Sequence, residues 1–255
     1  MAASKILGVL GGMGPAATAD FMKKLIELTP AATDQEHLPT IVVNDPTIPD
    51  RTLAFATGNR ADVLGAMARG VRRLEAAGAD AYAIPCNSAH HWAEDLQQRT
   101  RLPVIHIADA SIKELLSRPR RGDRVAVMAT PVTLASDFYR RKIDAAGFTY
   151  LETPNAVTET QVLPGIRKVK AGDIAGATRL LNDAVGALYA CGADAIMLAC
   201  TELPIALAQR LALDERLIDT TYALAKACAD WRRSGATKAQ GNQQSRTESI
   251  ACSQD

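Results

Sequence analysis

The sequence predicts an α/β fold of two pseudo-symmetric lobes, each a parallel sheet flanked by helices, with the active site in the cleft between them. Three observations carry this. Short runs rich in Val, Ile and Ala alternate with longer segments of helical period, the pattern of parallel strands covered on both faces. The chain also resembles itself: Gly78-Ala-Asp-Ala81 recurs as Gly192-Ala-Asp-Ala195, each after an Ala-rich helix end and before an apolar strand. Finally, each of those strands ends at a cysteine at the same offset, Cys86 eight residues after Gly78 and Cys200 eight after Gly192.

In chain order, the apolar runs predict strands at 6–10, 40–44, 81–85, 104–107, 125–128, 195–199 and 217–218. Helical periodicity predicts helices over 18–29, 60–77, 88–99, 136–146, 173–191 and 222–233. In the last of these, Leu224, Ala227, Cys228 and Trp231 share one face. The repeat extends upstream, where Asp20-Phe21 parallels Asp137-Phe138, 58 residues before Gly78 and 55 before Gly192 respectively. A duplication predicts an N-terminal lobe of residues 1–110 plus 211–233 and a second lobe of 111–210. From Ser234 to Asp255 there is no apolar period, which predicts a disordered tail with Cys252 as a bystander.

Composition narrows the function class. The 255 residues suffice for one large or two small domains, and 47% apolar with 22% charged residues is ordinary for a globular protein. Twenty-nine Lys and Arg against 28 Asp and Glu exclude a strongly basic nucleic-acid protein and a strongly acidic disordered one. No apolar run reaches the ~18 residues of a membrane span. The N-terminus enters strand-like sequence directly with no signal-type core, so no membrane partner is expected and the cytoplasm is. Five dispersed cysteines argue against a disulfide framework, and with no Cys-x-x-Cys pair, and His90 and His91 at no zinc spacing from Cys86, no metal is expected.

Ligands bind beyond the carboxyl ends of strands in such sheets. Two duplicated lobes packed about an approximate twofold axis would bring Cys86 and Cys200 to opposite sides of one cleft. Each cysteine stands between a strand and an expected helix start, with Asn87, Ser88 and Thr201 as candidate caps and Glu202 in a first turn. A helix N-terminus favours thiolate over thiol, so both are expected to ionise readily. Cys191 and Cys228, on helix faces, read as small hydrophobes. A base on one face of a carbon and an acid on the other is the layout for inverting a stereocentre. A single nucleophilic Cys86 with His90 as its base, four residues on, stays open as a rival.

At this point the residues resemble a family. Gly8-Val-Leu-Gly-Gly-Met-Gly-Pro-Ala-Ala-Thr18, Asn44-Asp-Pro-Thr-Ile-Pro-Asp-Arg51, Pro85-Cys-Asn-Ser-Ala-His90 and Ala199-Cys-Thr-Glu-Leu-Pro204 look like the aspartate racemases of the aspartate/glutamate racemase superfamily. The resemblance runs from about residue 5 to residue 230. It implies an amino-acid racemase independent of pyridoxal phosphate and metals, acting on a small amino acid and often dimeric. By the same resemblance Cys86 and Cys200 are the paired acid and base, and Asn87 and Ser88 bind the substrate's α-carboxylate or ammonium. Arg51 grips the distal carboxylate, which a guanidinium can hold bidentately. Lys170 meets a substrate carboxylate, with Lys168 as a competing candidate, and Thr130 and Thr201 are lesser contacts. Ser88 replaces the family's usual Thr and keeps the hydroxyl. Gly11 and Gly12 stand where glutamate racemases carry an acidic and a hydroxyl residue, which favours the aspartate branch.

Four other readings remain. The same scaffold could racemise glutamate or several amino acids. Decarboxylases and cis-trans isomerases on this fold often lack one of the two cysteines. Gly12-Met-Gly14-Pro-Ala-Ala17 also fits the dinucleotide fingerprint of an NAD-dependent oxidoreductase, although Asp45 comes later than the usual roughly twenty residues. A non-catalytic two-lobed binding protein would bind aspartate and exchange no α-hydrogen.

Overall fold

A computed structural model describes residues 5–119 and 122–233; the predicted tail from Ser234 lies outside them. Among the described residues, eight strands make two four-stranded sheets, parallel throughout. The first holds β1 (Leu7–Gly11), β2 (Thr40–Asn44), β3 (Ala81–Ala83) and β4 (Val104–Ile105) in the order β2-β1-β3-β4. The second holds β5 (Arg124–Ala129), β6 (Thr149–Leu151), β7 (Ala195–Ala199) and β8 (Leu217–Asp219) in the order β6-β5-β7-β8. The two orders are the same permutation, as a duplication requires.

The repeated tetrapeptide has a physical reason at each letter. Gly78 and Gly192 come after the helices Arg60–Ala76 and Ile174–Ala190 with φ of +89° and +92°, the left-handed conformation that ends a helix without a Cβ penalty. Ala79 and Ala193 are buried behind them. Asp80 accepts the Ile6 N–H at 2.7 Å, while Asp194 accepts those of Asp123 and Arg124 at 3.0 and 2.9 Å. Each aspartate thereby satisfies backbone donors beside the start of its sheet's first strand. Ala81 and Ala195 then open β3 and β7.

The lobes exchange helices reciprocally. The helix Ile107–Leu116, which comes after β4, packs Ala108 and Leu115 against Val125, Val127 and Met197 of the second sheet. The helix over residues 220–233, which comes after β8, packs Leu224, Ala225 and Cys228 against Leu7 and Val9 of the first. Leu224 and Cys228 of the predicted face lie in that cluster and Trp231 packs against it partly buried, whereas Ala227 is half-buried outside it and Ala229 takes part instead. The strand Leu217–Asp219 pairs with β7 of the second sheet, and the helix directly after it packs on the first.

Several elements differ from expectation. The period does not predict β6, a three-residue edge strand with an exposed Thr149. Nor does it predict the helices Arg51–Thr57 and Ile107–Leu116, or the helical run from Asn155 to Lys170 with its π segment over Thr158–Val162. The predicted helix over 88–99 is a 3₁₀ segment, Ser88–Trp92, followed by a short α-helix, Ala93–Gln97. That over 136–146 is interrupted at Asp137, whose φ of 58° separates Pro131–Ala135 from Phe138–Ala145.

Asp80→Ala and Asp194→Ala should each lower unfolding free energy by about 1 kcal/mol. Asp194→Ala should cost more because it orphans two amides. Urea midpoints matching the wild type would show that these caps contribute nothing.

Candidate active site

The carboxyl ends of β1 and β3 in one lobe, and of β5 and β7 in the other, face each other across a pocket with about 330 Å³ of empty space. Its wall includes Cys86, Asn87, Ser88 and Arg51 from the first lobe and Thr130, Lys170, Cys200 and Thr201 from the second. All eight residues singled out in the sequence therefore meet in one place.

Cys86 lies three residues past the end of β3, its N–H bonded to the Ile84 carbonyl, and Cys200 comes directly after β7. Their exposures are 5% and 7%, and neither is in a disulfide. The expected ease of ionisation is not found. Burial pushes the Cys86 thiol up; the Arg51 guanidinium, the Ala89 N–H and Lys170 draw it back, while Glu202 opposes them. Burial pushes Cys200 well above the ordinary thiol range, and the Glu202 carboxylate adds to this by its charge and by accepting the S–H at 3.0 Å. The expected helix-start effect is weak because Cys86 precedes a 3₁₀ segment and Cys200 a four-residue helix. None of Asn87, Ser88 and Thr201 makes a side-chain cap there.

Arg51 is 8% exposed, and its two Nη atoms donate to the carbonyls of Ile48, Pro49 and Met13 at 3.0–3.3 Å. Its Nε is buried with no partner, and no carboxylate among the described residues pairs with it. Lys170, exposed at the end of the helix Leu163–Lys170, lines the pocket. Lys168 instead pairs with Asp173 at 2.6 Å, away from it.

The hydroxyls of Ser88, Thr130 and Thr133 form a triangle across the lobes, with Ser88 Oγ 2.8 Å from Thr130 Oγ1. Thr201 is buried in the wall. Asn87 is more committed than expected: its Nδ2 donates to Thr220 at 3.1 Å and its Oδ1 accepts from Tyr139 at 2.6 Å. Its side chain ties the lobes together, leaving little of its amide for a ligand.

Two rival chemistries lose their geometry. His90 Nδ1 bonds the Cys86 carbonyl at 2.9 Å, and its Nε2 accepts the Ile107 N–H at 3.2 Å. Burial holds that imidazole well below its usual range, so both nitrogens are engaged and neither serves the Cys86 sulfur. In the glycine loop, Gly12 donates its N–H to Thr18, and a Cβ there would meet the Asp45 backbone at 2.3 Å. Glu202 Oε1 lies 3.4 Å from the Cβ position of Gly14, placing a carboxylate where a pyrophosphate would need donors. No three His, Cys, Asp or Glu among the described residues are placed to hold a metal, and no described helix is long and apolar enough to cross a membrane.

Sequence reasoning passes over Met13, Asp50, Thr52, Ile166 and, above all, Glu202 in this wall. The sequence does carry a signal for Glu202, an acid two residues beyond a strand-end cysteine, but capping rules assign it to the first turn of a helix. In fact it precedes that helix, is 4% exposed, and turns to the sulfur.

Comparison with known proteins gives the family. The model of the Asp/Glu/hydantoin racemase family matches residues 10–228. The broad specificity amino-acid racemase RacX of Bacillus subtilis is 28% identical over 228 residues, covering 87% of this chain and 96% of RacX. The aspartate racemase of Picrophilus torridus superposes with a TM-score of 0.77 at 28% identity, covering 89% of this chain and 94% of that one. The glutamate racemase of Francisella tularensis shares the fold, with a TM-score of 0.67 at 21% identity over 91% of this chain and 82% of its own. With its fold shared and residues 10–228 matched, the chain belongs to the Asp/Glu/hydantoin racemase family.

Proposed function

We propose that this protein interconverts L- and D-aspartate without a cofactor, with Cys86 and Cys200 as the paired proton carriers. The observation that supports this most is that two free cysteines, one from the equivalent strand end of each lobe, line a single buried pocket beside a cation without a carboxylate partner. One thiolate takes the α-hydrogen as a proton and the opposite thiol delivers its own to the other face. In the reverse direction the roles exchange.

Burying a guanidinium against carbonyl dipoles alone is costly, and a substrate carboxylate would offset that cost. Arg51 is the proposed partner of the distal carboxylate and Lys170 of the other. The hydroxyls of Ser88, Thr130 and Thr201 are the proposed donors that stabilise charge developing on the α-carboxylate, with Asn87 holding the strand end in place. Exclusion of water by the buried wall strengthens each of these contacts. A second reading, glutamate or a wider set of amino acids on the same site, is favoured by the broad-specificity relative and by the apolar Met13 and Ile166 in the wall. The proposal carries with it a homodimer in a reducing cytoplasm.

Incubation with L-aspartate in heavy water should yield D-aspartate bearing deuterium at the α-carbon. Cys86→Ser and Cys200→Ser should each lower that conversion by about 10²–10⁴-fold, the range for loss of a positioned acid or base. Near-normal turnover in both variants would refute the assignment. Arg51→Ala should reduce kcat/KM for aspartate by about ten- to a hundredfold, the loss of a charge-assisted hydrogen bond, and change alanine turnover far less. Equal losses on the two substrates would remove its role in reading the side chain.

A further inference from the structure

The two strand ends are equivalent in the fold but differ in the pair of residues after the cysteine: Asn87-Ser88 in one lobe, Thr201-Glu202 in the other. Ser88 turns to the hydroxyl cluster. Glu202 reaches back to the sulfur, with Oε2 accepting from Cys200 at 3.0 Å and Oε1 against Gly14 of the opposite lobe. At 4% exposure, with Leu203 and Pro204 buried beside it, the carboxylate is held in the pocket wall against the sulfur. Nothing equivalent sits on Cys86, whose charged neighbours include Arg51 and Lys170 as well as Glu202.

From this we infer that Glu202 is the positioning residue that decides which thiol keeps its proton in the resting enzyme: it anchors the S–H of Cys200 and leaves Cys86 to act first as the base. The proton count then closes. The Cys86 thiolate takes a proton from the α-carbon, leaving the electron pair on carbon. The S–H bond of Cys200 breaks to deliver its proton to the opposite face, and the sulfur keeps the bonding pair. The resulting thiolate lies against a carboxylate, the less stable of the two forms, and the site returns to rest when Cys86 gives its newly gained proton to water and Cys200 takes one from water. That Glu202 pushes Cys200 up both by its charge and by its hydrogen bond, whereas Arg51 draws Cys86 down, agrees with this order.

Racemisation rates cannot reveal the bias. Enantiomers have equal free energies, so kcat/KM is the same in both directions at every pH whichever thiol is ionised. The thiols themselves must be observed. Alkylation of the full chain with iodoacetamide across pH, followed peptide by peptide by mass spectrometry, reads each cysteine separately, with the exposed Cys191 as an internal reference. Near neutral pH, Cys86 should react about tenfold or more faster than Cys200. Glu202→Gln keeps an acceptor for the S–H but not the charge. It should move the half-maximal pH for Cys200 down by about one unit, a tenfold change in its ionisation, and that of Cys86 by less.

A Cys200 that reacts as fast as Cys86 in the wild type overturns the inference, and this comparison needs no variant to fold. So does an unchanged Cys200 profile in Glu202→Gln. The inference rests on the two-cysteine reading, but alkylation requires no turnover. A wrong order with intact racemisation refutes the inference alone, whereas the right order without α-hydrogen exchange refutes the racemase reading alone.

Discussion

Everything in this molecule depends on holding two strand ends face to face from separate sheets. A single parallel sheet presents its carboxyl ends along one edge, and residues there all approach a ligand from one side. Access to both faces of a carbon needs two sheets, clamped so that neither drifts. The reciprocal exchange of helices provides that clamp, because each sheet has one face covered by a helix whose preceding strand belongs to the other. Polar ties reinforce it at different heights: Lys24 to Asp219 at 2.7 Å, Lys226 to Glu114 at 2.8 Å, and the Asn87 amide between Tyr139 and Thr220. The partly solvated Lys226 pair counts for less than the buried amide, whose removal would take from the Tyr139 hydroxyl its acceptor at 2.6 Å, while Thr220 would keep its bond to the Leu198 carbonyl.

The same burial sets the electrostatics. Burial makes a hydrogen bond to a bound carboxylate stronger, but it also holds the thiols in their neutral form. Arg51 and Lys170 counter this for Cys86, and a bound dicarboxylate would occupy those cations. Thiol ionisation and substrate charge are thereby coupled, with the cations shared between them. A more open site would ionise its sulfurs more readily and lose the protection of the carbanion from water.

Much of this is legible in the amino-acid sequence alone. The paired tetrapeptide marks the two helix ends, the two strand caps and the two sulfurs, because each letter meets a backbone requirement that recurs with the duplication. The central strands are readable for the same reason: β1, β5 and β7 are apolar along nearly their whole length. The elements that escape sequence reasoning are short or peripheral. β6 carries too few residues for a period, and the helical run ending at Lys170 is broken in rhythm by its π segment. The change of sheet near residue 220 leaves no mark in the sequence because the strand and the helix after it are adjacent there while packing on different sheets. Glu202 escapes because helix-capping rules address backbone donors, whereas this carboxylate finds a side-chain donor instead.

In the proposed reaction, duplication would build symmetry into the acid and the base, yet the rest of a racemase site cannot be symmetric. Inverting a stereocentre moves one hydrogen while the other three substituents keep their contacts, so those contacts must distinguish carboxylate from ammonium from side chain. The frame obeys this division. The sulfurs come from equivalent positions, while the cations do not: Arg51 begins a helix after the end of β2, and Lys170 ends one after β6. Divergence of the two halves is therefore a requirement of the chemistry rather than erosion of an old repeat. Positions that have diverged within the pocket wall are where substrate selectivity and proton bias must lie.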